Sequence, residues 1–507
     1  MKKVFLINFS SPILVAAIKK MQKDNVITVQ YWSAYREGFE EIQKDKANLP
    51  NVITHHMHDL IKGVPPEGLD VDDFAPIDQD SIEQCYEYGW QALAMMGRSD
   101  FNNTTFVQKR NIYYRYLKFW NGMIKKFNPD CVLFYDIPHG GVDFALYGLA
   151  RALGVKTLIL HPLTIESRVL IMQDYKESSL ELKREYDRCI DNAHTIEDLP
   201  VDLQEYYNRQ INSNMDATPA YSKRAMQNRA PLSLSSPIIL ARNLFRKNIF
   251  KTLYYFLQMF FTRRQAGTFH ENILGIKMKW RMISWQRQNE RVKKEYIQLQ
   301  ERPDLKKKFI YFPLHFQPEQ STLPMGGAYD DQLLAIEMLS KSLPNNWVVY
   351  VKEISLQWRP SSTESHLYRY PGYYRAIARL SNVSLVPVSI SSFELINHSQ
   401  AVATITGTAG WEAVLRSKPA ILFGYNWYQY CDGVIPVRTF ESCILAFKKI
   451  IQGYAPSTQK VINFLYALGN VSAMAPYYKA RYFSFSGVLK KEDAIHNITK
   501  LITTNLN

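Results

Sequence analysis

The stretch Thr406–Gly424, TGTAGWEAVLRSKPAILFG, joins a turn of small residues to an acidic residue, a short amphipathic run and an apolar strand. Gly407 and Gly410 let another group come close to the backbone, and Thr406 and Thr408 add hydroxyls. A helix starting near Gly410 turns unpaired N–H groups and its positive end outward, which suits a phosphate or diphosphate. Glu412, in the first helical turn, either accepts from a sugar hydroxyl or steadies the helix N-terminus; Trp411 either stacks on a base or fills a core position. Small-residue turns are common, so the weight rests on their company. His315 and Glu319 follow the apolar run FIYFPL, and Lys352 with Glu353 close the run WVVYVKE. A third group, Asp136, His139, His161, Glu166 and Arg168, gathers at the ends of apolar runs in the first half of the chain.

The elements that must position these residues alternate. Val4–Asn8, a helical pattern from Pro12 to Met21 and the run Val26–Trp32 make a β-α-β opening. Between Glu40 and Asp100 the sequence turns polar and acidic (LDVDDFAPIDQD) and reads as a surface excursion. A helix over Asn111–Phe127, the strand PDCVLFYD, the helix GGVDFALYGLARALG and the strand VKTLILH follow. Short continuous apolar runs are the mark of strands covered on both faces in a parallel sheet. In such sheets ligands bind outside the carboxyl ends of the strands, which draws attention to Asp136, His139, His161, Glu166 and Arg168. In the plainer reading Asp136 and His139 shape a turn and Arg168 is solvated. A second alternation starts at Phe309 and runs through AVATIT into the opening turn, with SSFELINHS as a short helix capped by Ser391 or Ser392. The expected organisation is therefore α/β: a Rossmann-like domain over 1–217, a basic helical insertion over 218–300, a second Rossmann-like domain over 301–462, and a helical segment over 463–507 packing back toward the first domain.

At 507 residues the chain is long enough for two cores. Its net charge of +14 is concentrated, because residues 221–300 hold 16 Lys and Arg against 3 Glu and no Asp, a net +13. Within that segment PIILARNLFRKNIFKTLYYFLQMFFTRR reads either as an amphipathic helix lying on an anionic membrane surface or as an interdomain helix packing its apolar face on the protein. No nucleic-acid-binding signature accompanies the charge, so nucleic acid is not an expected partner. Cys85, Cys131, Cys189, Cys431 and Cys443 are scattered without metal-ligand spacing, which fits free thiols in a reducing compartment. The start MKKVFLINFSSPILVAAIKKM has its apolar run split by Asn8, Ser10, Ser11 and Pro12, and reads as a first strand and helix rather than a secretory signal. The expected location is cytoplasmic, peripheral at the inner membrane. Asp70 with Asp72, and Asp78 with Asp80, match Asp-x-Asp but lie in the acidic excursion and read as solvated surface; no metal and no cofactor are expected.

PLHFQPEQSTLPMGG, VYVKE and TITGTAGWEAVLRSKPAILFG, in that order across about 120 residues, resemble the capsule polysaccharide biosynthesis family, with a weaker echo in PDCVLFYDIPHGGVDFALYGLARALGVKTLIL. That family includes the Kdo transferases of bacterial capsule assembly and has the two-domain GT-B glycosyltransferase fold. One departure stands out: Ile354 and Ser355 follow Lys352-Glu353 where the family commonly has His-Pro. The resemblance implies two doubly wound domains facing a cleft, and transfer of a sugar from a nucleotide-activated donor (CMP-Kdo, or a UDP- or GDP-sugar) to a growing surface polysaccharide. The donor would lie in the second domain. Lys352 would neutralise phosphate charge, Thr406, Gly407, Thr408 and Gly410 would hold phosphate, Glu353 or Glu412 would hold hydroxyls, and His315 or Glu319 would contact the leaving group or donor sugar. The acceptor, a glycan or glycolipid, would find its base among Asp136, His139 and Glu166. Two other readings stay open on the same fold: a sugar-nucleotide epimerase or polyol-phosphate transferase, and a non-catalytic membrane-peripheral scaffold.

Overall fold

The computed structural model describes residues 1–98, 100, 102–165, 168–211, 263–266, 271–358, 367–477 and 489–506. The chain divides into two compact units. Unit 1 takes Met1–Gly97, Asn103–Tyr207 and Ile462–Asn507; unit 2 takes Arg98–Asn102 and Asn208–Val461.

In unit 1, β1 (Lys2–Ile7), β2 (Ile27–Ala34), β3 (Ile53–His56), β4 (Cys131–Phe134), β5 (Lys156–Pro162) and β6 (Arg168–Met172) share a sheet with the short strand Ala473–Met474. The order is Ala473–Met474, β6, β5, β4, β1, β2, β3. β1 to β5 are parallel neighbours, whereas β6 runs antiparallel to β5 and Ala473–Met474 antiparallel to β6. Val4, Phe5, Leu6 and Ile7 are all buried, because helices cover both faces and a strand so placed cannot alternate with polar residues. Ser11 starts the next helix, Pro12–Lys23, by accepting from Leu14 N–H, with Pro12 in the first turn where no N–H is needed. Because β4 returns to the far side of β1 from β2, the strand order reverses between β1 and β4. The loops after those two strands therefore flank a topological switch point.

The helix Lys491–Leu506 packs on Pro12–Lys23, and its Ile498 and Ile502 join Leu14 and Ile18 in one core. Two strands depart from the sequence reading. β3 lies inside the supposed surface excursion, where ITHH lacks an apolar run; Thr54 and His55 are buried because Gln43 and Tyr31 hydrogen-bond their polar atoms. β6 begins at Arg168, which is buried rather than solvated: its guanidinium grips Asp202 in a two-point ion pair at 2.6 and 2.8 Å.

In unit 2 the basic run 237–264 falls outside the described residues except at its end, where β7 (Arg263–Ala266) pairs antiparallel with β8 (Glu271–Leu274). The helix Gly275–Leu299 follows, and its Val292 and Tyr296 are part of the unit 2 core. Among the described residues no helix is long and apolar enough to cross a membrane. The sheet contains β9 (Phe309–Pro313), β10 (Val348–Lys352), β11 (Val383–Leu385), β12 (Ala401–Thr404), β13 (Ala420–Leu422) and β14 (Val434–Pro436), all parallel, in order β11, β10, β9, β12, β13, β14. Along β9, Ile310 and Phe312 enter the core on one face and Phe309 and Tyr311 the core on the other. Here the order reverses between β9 and β12, so the loops after Pro313 and Thr404 meet at the switch point.

Since Ile498 is fully buried, Ile498→Ala removes core volume that a docked terminal helix cannot refill. We expect a loss of about 2–5 kcal/mol in urea unfolding; an unchanged midpoint would mean that the terminal helix contributes nothing to unit 1.

Candidate functional site

At the unit 2 switch point a chain of hydrogen bonds ties the two loops together. Thr406 N–H donates to His315 Nε2 at 3.3 Å, which makes Nε2 the unprotonated nitrogen; the Thr404 hydroxyl, 2.9 Å away, then donates to the same nitrogen and accepts from Gly407 N–H at 3.0 Å. Burial, helped by the Arg369 charge, lowers the His315 pKa to about 4, so the ring is neutral and this hydrogen-bond pattern assigns its proton to Nδ1. Gly407 caps the helix Thr408–Val414. A Cβ on Gly407 would meet Thr404 Oγ1 at 2.8 Å and the His315 ring at 3.1 Å, and one on Gly410 would meet the Tyr428 hydroxyl at 2.8 Å. The glycines thus make room first for the protein's own His315, Thr404 and Tyr428. Thr406 donates its hydroxyl to Ser321 O, while Asn426 and Tyr428 donate to the carbonyls of Thr406 and Gly407.

The His315 loop is held from behind by a buried cation. Arg369, 1% exposed, donates to Glu353 at 2.6 Å, to Gln317 Oε1 at 2.8 Å and to His315 O at 3.0 Å. Glu353 also accepts from the Tyr374 hydroxyl at 2.6 Å and from Ile354 N–H at 2.9 Å. Gln332 completes the frame by accepting from His315 N–H at 2.7 Å and donating to Gln317 at 2.7 Å. The Glu353 carboxylate is thereby committed to protein partners.

Lys352 Nζ donates to Ile390 O at 2.8 Å and to the Ser392 hydroxyl at 2.6 Å, beside Tyr311. Burial lowers its pKa to about 8, against the opposing pull of Glu412. Glu412 is itself buried, and burial raises its pKa despite a hydrogen bond with Thr408 and the charges of Arg416 and Lys352. Trp411 is a core residue, packed edge-on against Trp427 with ring centroids 5.1 Å apart, so its indole is not presented to a base. Glu319 is exposed and accepts from the Ser321 hydroxyl at 3.2 Å.

In unit 1, Asp136 follows β4 at the other switch point and is buried; its Oδ1 accepts from Ile137 N–H at 2.7 Å and lies 3.3 Å from His161 Nδ1. The Tyr477 hydroxyl fixes both strand ends through Tyr135 O and Leu160 O, at 2.6 and 2.9 Å. His139 turns its Nδ1 toward Ile137 O at 2.8 Å in the turn that Asp143 closes by accepting from Gly140 N–H. Glu166 lies outside the described residues. Asp78 caps the helix Gln79–Gln84 through Ser81 N–H, and Asp70, Asp72 and Asp80 are exposed. Among the described residues no group of three or more His, Cys, Asp or Glu could hold a metal ion.

Residues 212–437 match the family model described as capsule polysaccharide biosynthesis protein, a stretch that contains the His315 loop, Lys352 and the Thr404–Glu412 turn. The similarity to that family lies in this stretch, which is under half of the chain. No curated relative matches it in sequence. Among solved structures, the beta Kdo 2,7 transferase of Thermosulfurimonas dismutans KpsC is 11% identical, with 93% of this chain and 99% of that one covered and a TM-score of 0.31. The beta Kdo 2,4 transferase of the same KpsC is 10% identical over 66% and 79%, with a TM-score of 0.29. The UDP-GlcNAc 2-epimerase of Neisseria meningitidis is 12% identical over 100% and 99%, with a TM-score of 0.20.

Within this matched stretch the structure brings forward three residues that the sequence reading passed over. Arg369 sits in an aromatic run, HLYRYPGYY, with no partner nearby in sequence. Gln317 was visible only as part of a motif. Asp330, a partly buried carboxyl in the same loop as His315, is pushed up to about 6 by burial.

Breaking the buried pair with Glu353→Gln or Arg369→Met strands a charge or its partners, and we expect a cost of about 3–5 kcal/mol in urea unfolding; a cost near zero would show the pair to be dispensable. His315 stays neutral in the fold down to about pH 4, whereas an unfolded histidine takes up its proton near 6.5. The unfolded state therefore binds more protons across that window, and stability falls as pH drops from about 6.5 to about 4. Urea midpoints measured across this range should decline less steeply in His315→Asn than in the parent chain; parallel curves would contradict the assignment.

Proposed function

We propose that the chain is a glycosyltransferase that moves a sugar from a nucleotide-activated donor to a growing surface or capsular polysaccharide. The observation that carries this reading is the meeting, at the unit 2 switch point, of the His315 loop and the Thr404–Glu412 turn inside the segment that matches the capsule polysaccharide biosynthesis model. The donor's diphosphate or phosphate would take the first-turn N–H groups of Thr408 and Ala409, which lack intrahelical acceptors. His315 Nδ1–H would donate to the same ligand, as a neutral donor over the working pH range. Lys352, poised near its own pKa, would be drawn to its charged form by an approaching phosphate. Glu353 drops out as a ligand contact and acts instead with Arg369 to position His315.

For the acceptor, the unit 1 residues best arranged for proton transfer are Asp136 and His161. With Asp136 accepting from Nδ1–H, His161 Nε2 carries the lone pair that would take a hydroxyl proton, and the carboxylate would stabilise the resulting imidazolium. A lipid-linked acceptor at the inner membrane face is the setting we infer from the basic segment 221–300.

The test incubates the full chain with CMP-, UDP- and GDP-sugars, with and without a polysaccharide acceptor, and measures free nucleotide. Acceptor-dependent release supports the transferase. Turnover of donor alone would indicate an epimerase, and no nucleotide binding at all would indicate a scaffold. Lys352→Met should weaken nucleotide binding about tenfold or more, since a hydrogen bond to a charged group is worth about 1.5–3 kcal/mol. Affinity in the parent chain should also fall as pH rises through about 8, where Lys352 loses its charge, and Lys352→Met should remove that fall. Full activity in both Lys352→Met and Glu412→Ala would overturn the site assignment.

A further inference from the structure

Unit 1 holds a cavity of 210 Å³ that the proposed transfer reaction does not use. It lies beside the edge strand β3, two strands along the sheet from the β1–β4 switch point, and opens to solvent between the loop after the helix Met57–Lys62 and one side of the helix Phe106–Phe127. Its wall is built rather than incidental. Phe74 lies against Gly122, where a Cβ would come within 2.2 Å of the ring, and His55 is fixed between the Tyr31 hydroxyl at 2.8 Å and Val64 O at 2.9 Å. The Tyr116 hydroxyl donates to Ile61 O, tying the helix Met57–Lys62 to the long helix.

The lining has two parts. Leu60, Val64, Val71, Phe74, Ile112 and Phe119 make it apolar, while Lys62, Arg115 and Lys118 bring three cations against the single carboxylate of Asp72. Among the described residues none of the three cations has an ion-pair partner. His55 adds no charge, because both its ring nitrogens are engaged and burial keeps it neutral, its pKa lowered to about 4. At 210 Å³ the mostly apolar cleft exceeds the ~150 Å³ void that accepts benzene, so it has room for a hydrocarbon segment. Unpaired cations beside it select an anion, and an arginine selects one with two oxygens to offer.

We propose that this cavity binds a single-chain amphiphile, an alkyl tail ending in a phosphate, with the tail among Leu60, Val71, Phe74 and Phe119 and the head at Lys62, Arg115 and Lys118. The site is independent of the transferase reading and survives its failure.

Isothermal titration of the full chain with dodecyl phosphate, dodecanol and inorganic phosphate, each below its aggregation concentration, tests it. Dodecyl phosphate should bind this site one to one, at least about tenfold tighter than dodecanol, and any heat from inorganic phosphate should persist unchanged in Arg115→Glu with Lys118→Glu, because it arises elsewhere. The charge reversal Arg115→Glu with Lys118→Glu should weaken dodecyl phosphate about tenfold or more and leave dodecanol unchanged. Ile112→Trp should abolish binding of both chains, with the circular dichroism melt confirming that the variant folds. Equal binding of dodecanol and dodecyl phosphate, binding of inorganic phosphate alone, or undiminished binding in the charge-reversed chain would each overturn the proposal.

Discussion

The ion pair between Arg369 and Glu353 is the contact on which the unit 2 site depends. Both groups are removed from water, so each would be costly without the other, and their attraction is supplemented by Tyr374, Gln317 and the backbone of His315 and Ile354. A buried guanidinium has five donors to satisfy, and here it spends one on the carbonyl of His315 itself. The imidazole is thus positioned through its own backbone, and Thr404 and Thr406 then fix its tautomer from the opposite loop. Lowering the charge of either ion would loosen an imidazole that neither ion hydrogen-bonds directly.

The topology makes this economy of contacts effective. The His315 loop follows β9 and the glycine turn follows β12, adjacent strands whose connections leave in opposite directions along the sheet. The two loops can therefore approach without either chain crossing the other. The glycines serve that approach: a side chain at Gly407 or Gly410 would displace His315, Thr404 or Tyr428 before any ligand arrived. Unit 1 repeats the arrangement in simpler form, with Asp136 and His161 at the ends of neighbouring strands and Tyr477 pinning both.

Much of this was legible from residue order. Apolar runs such as VFLI, FIYF and AVAT gave away strands buried on both faces, and the turn TGTAGWEA stood out as a strand-to-helix joint because glycines and hydroxyls cluster there. What escaped the pattern escaped for physical reasons. β3 reads ITHH, and its burial depends on Tyr31 and Gln43, which are distant in sequence. For Arg168 the sequence left a solvated and a functional reading open, because Asp202, which neutralises it, lies in a helix distant in sequence. Arg369 gave no signal because an arginine in an aromatic run is ordinary until Glu353 is placed beside it. Glu353, conversely, drew attention as a strand-end acid, and only the three-dimensional arrangement shows its carboxylate already occupied.

The central claim is that the unit 2 switch point holds the nucleotide portion of the donor. Hydrogen exchange of the full chain, with and without saturating CMP, UDP or GDP in turn, tests it most directly. The account predicts that one of the three slows exchange of the amides in 404–412 and in the loop 314–331, with unit 1 unaffected. A nucleotide that binds while those segments exchange at their free rate would contradict it.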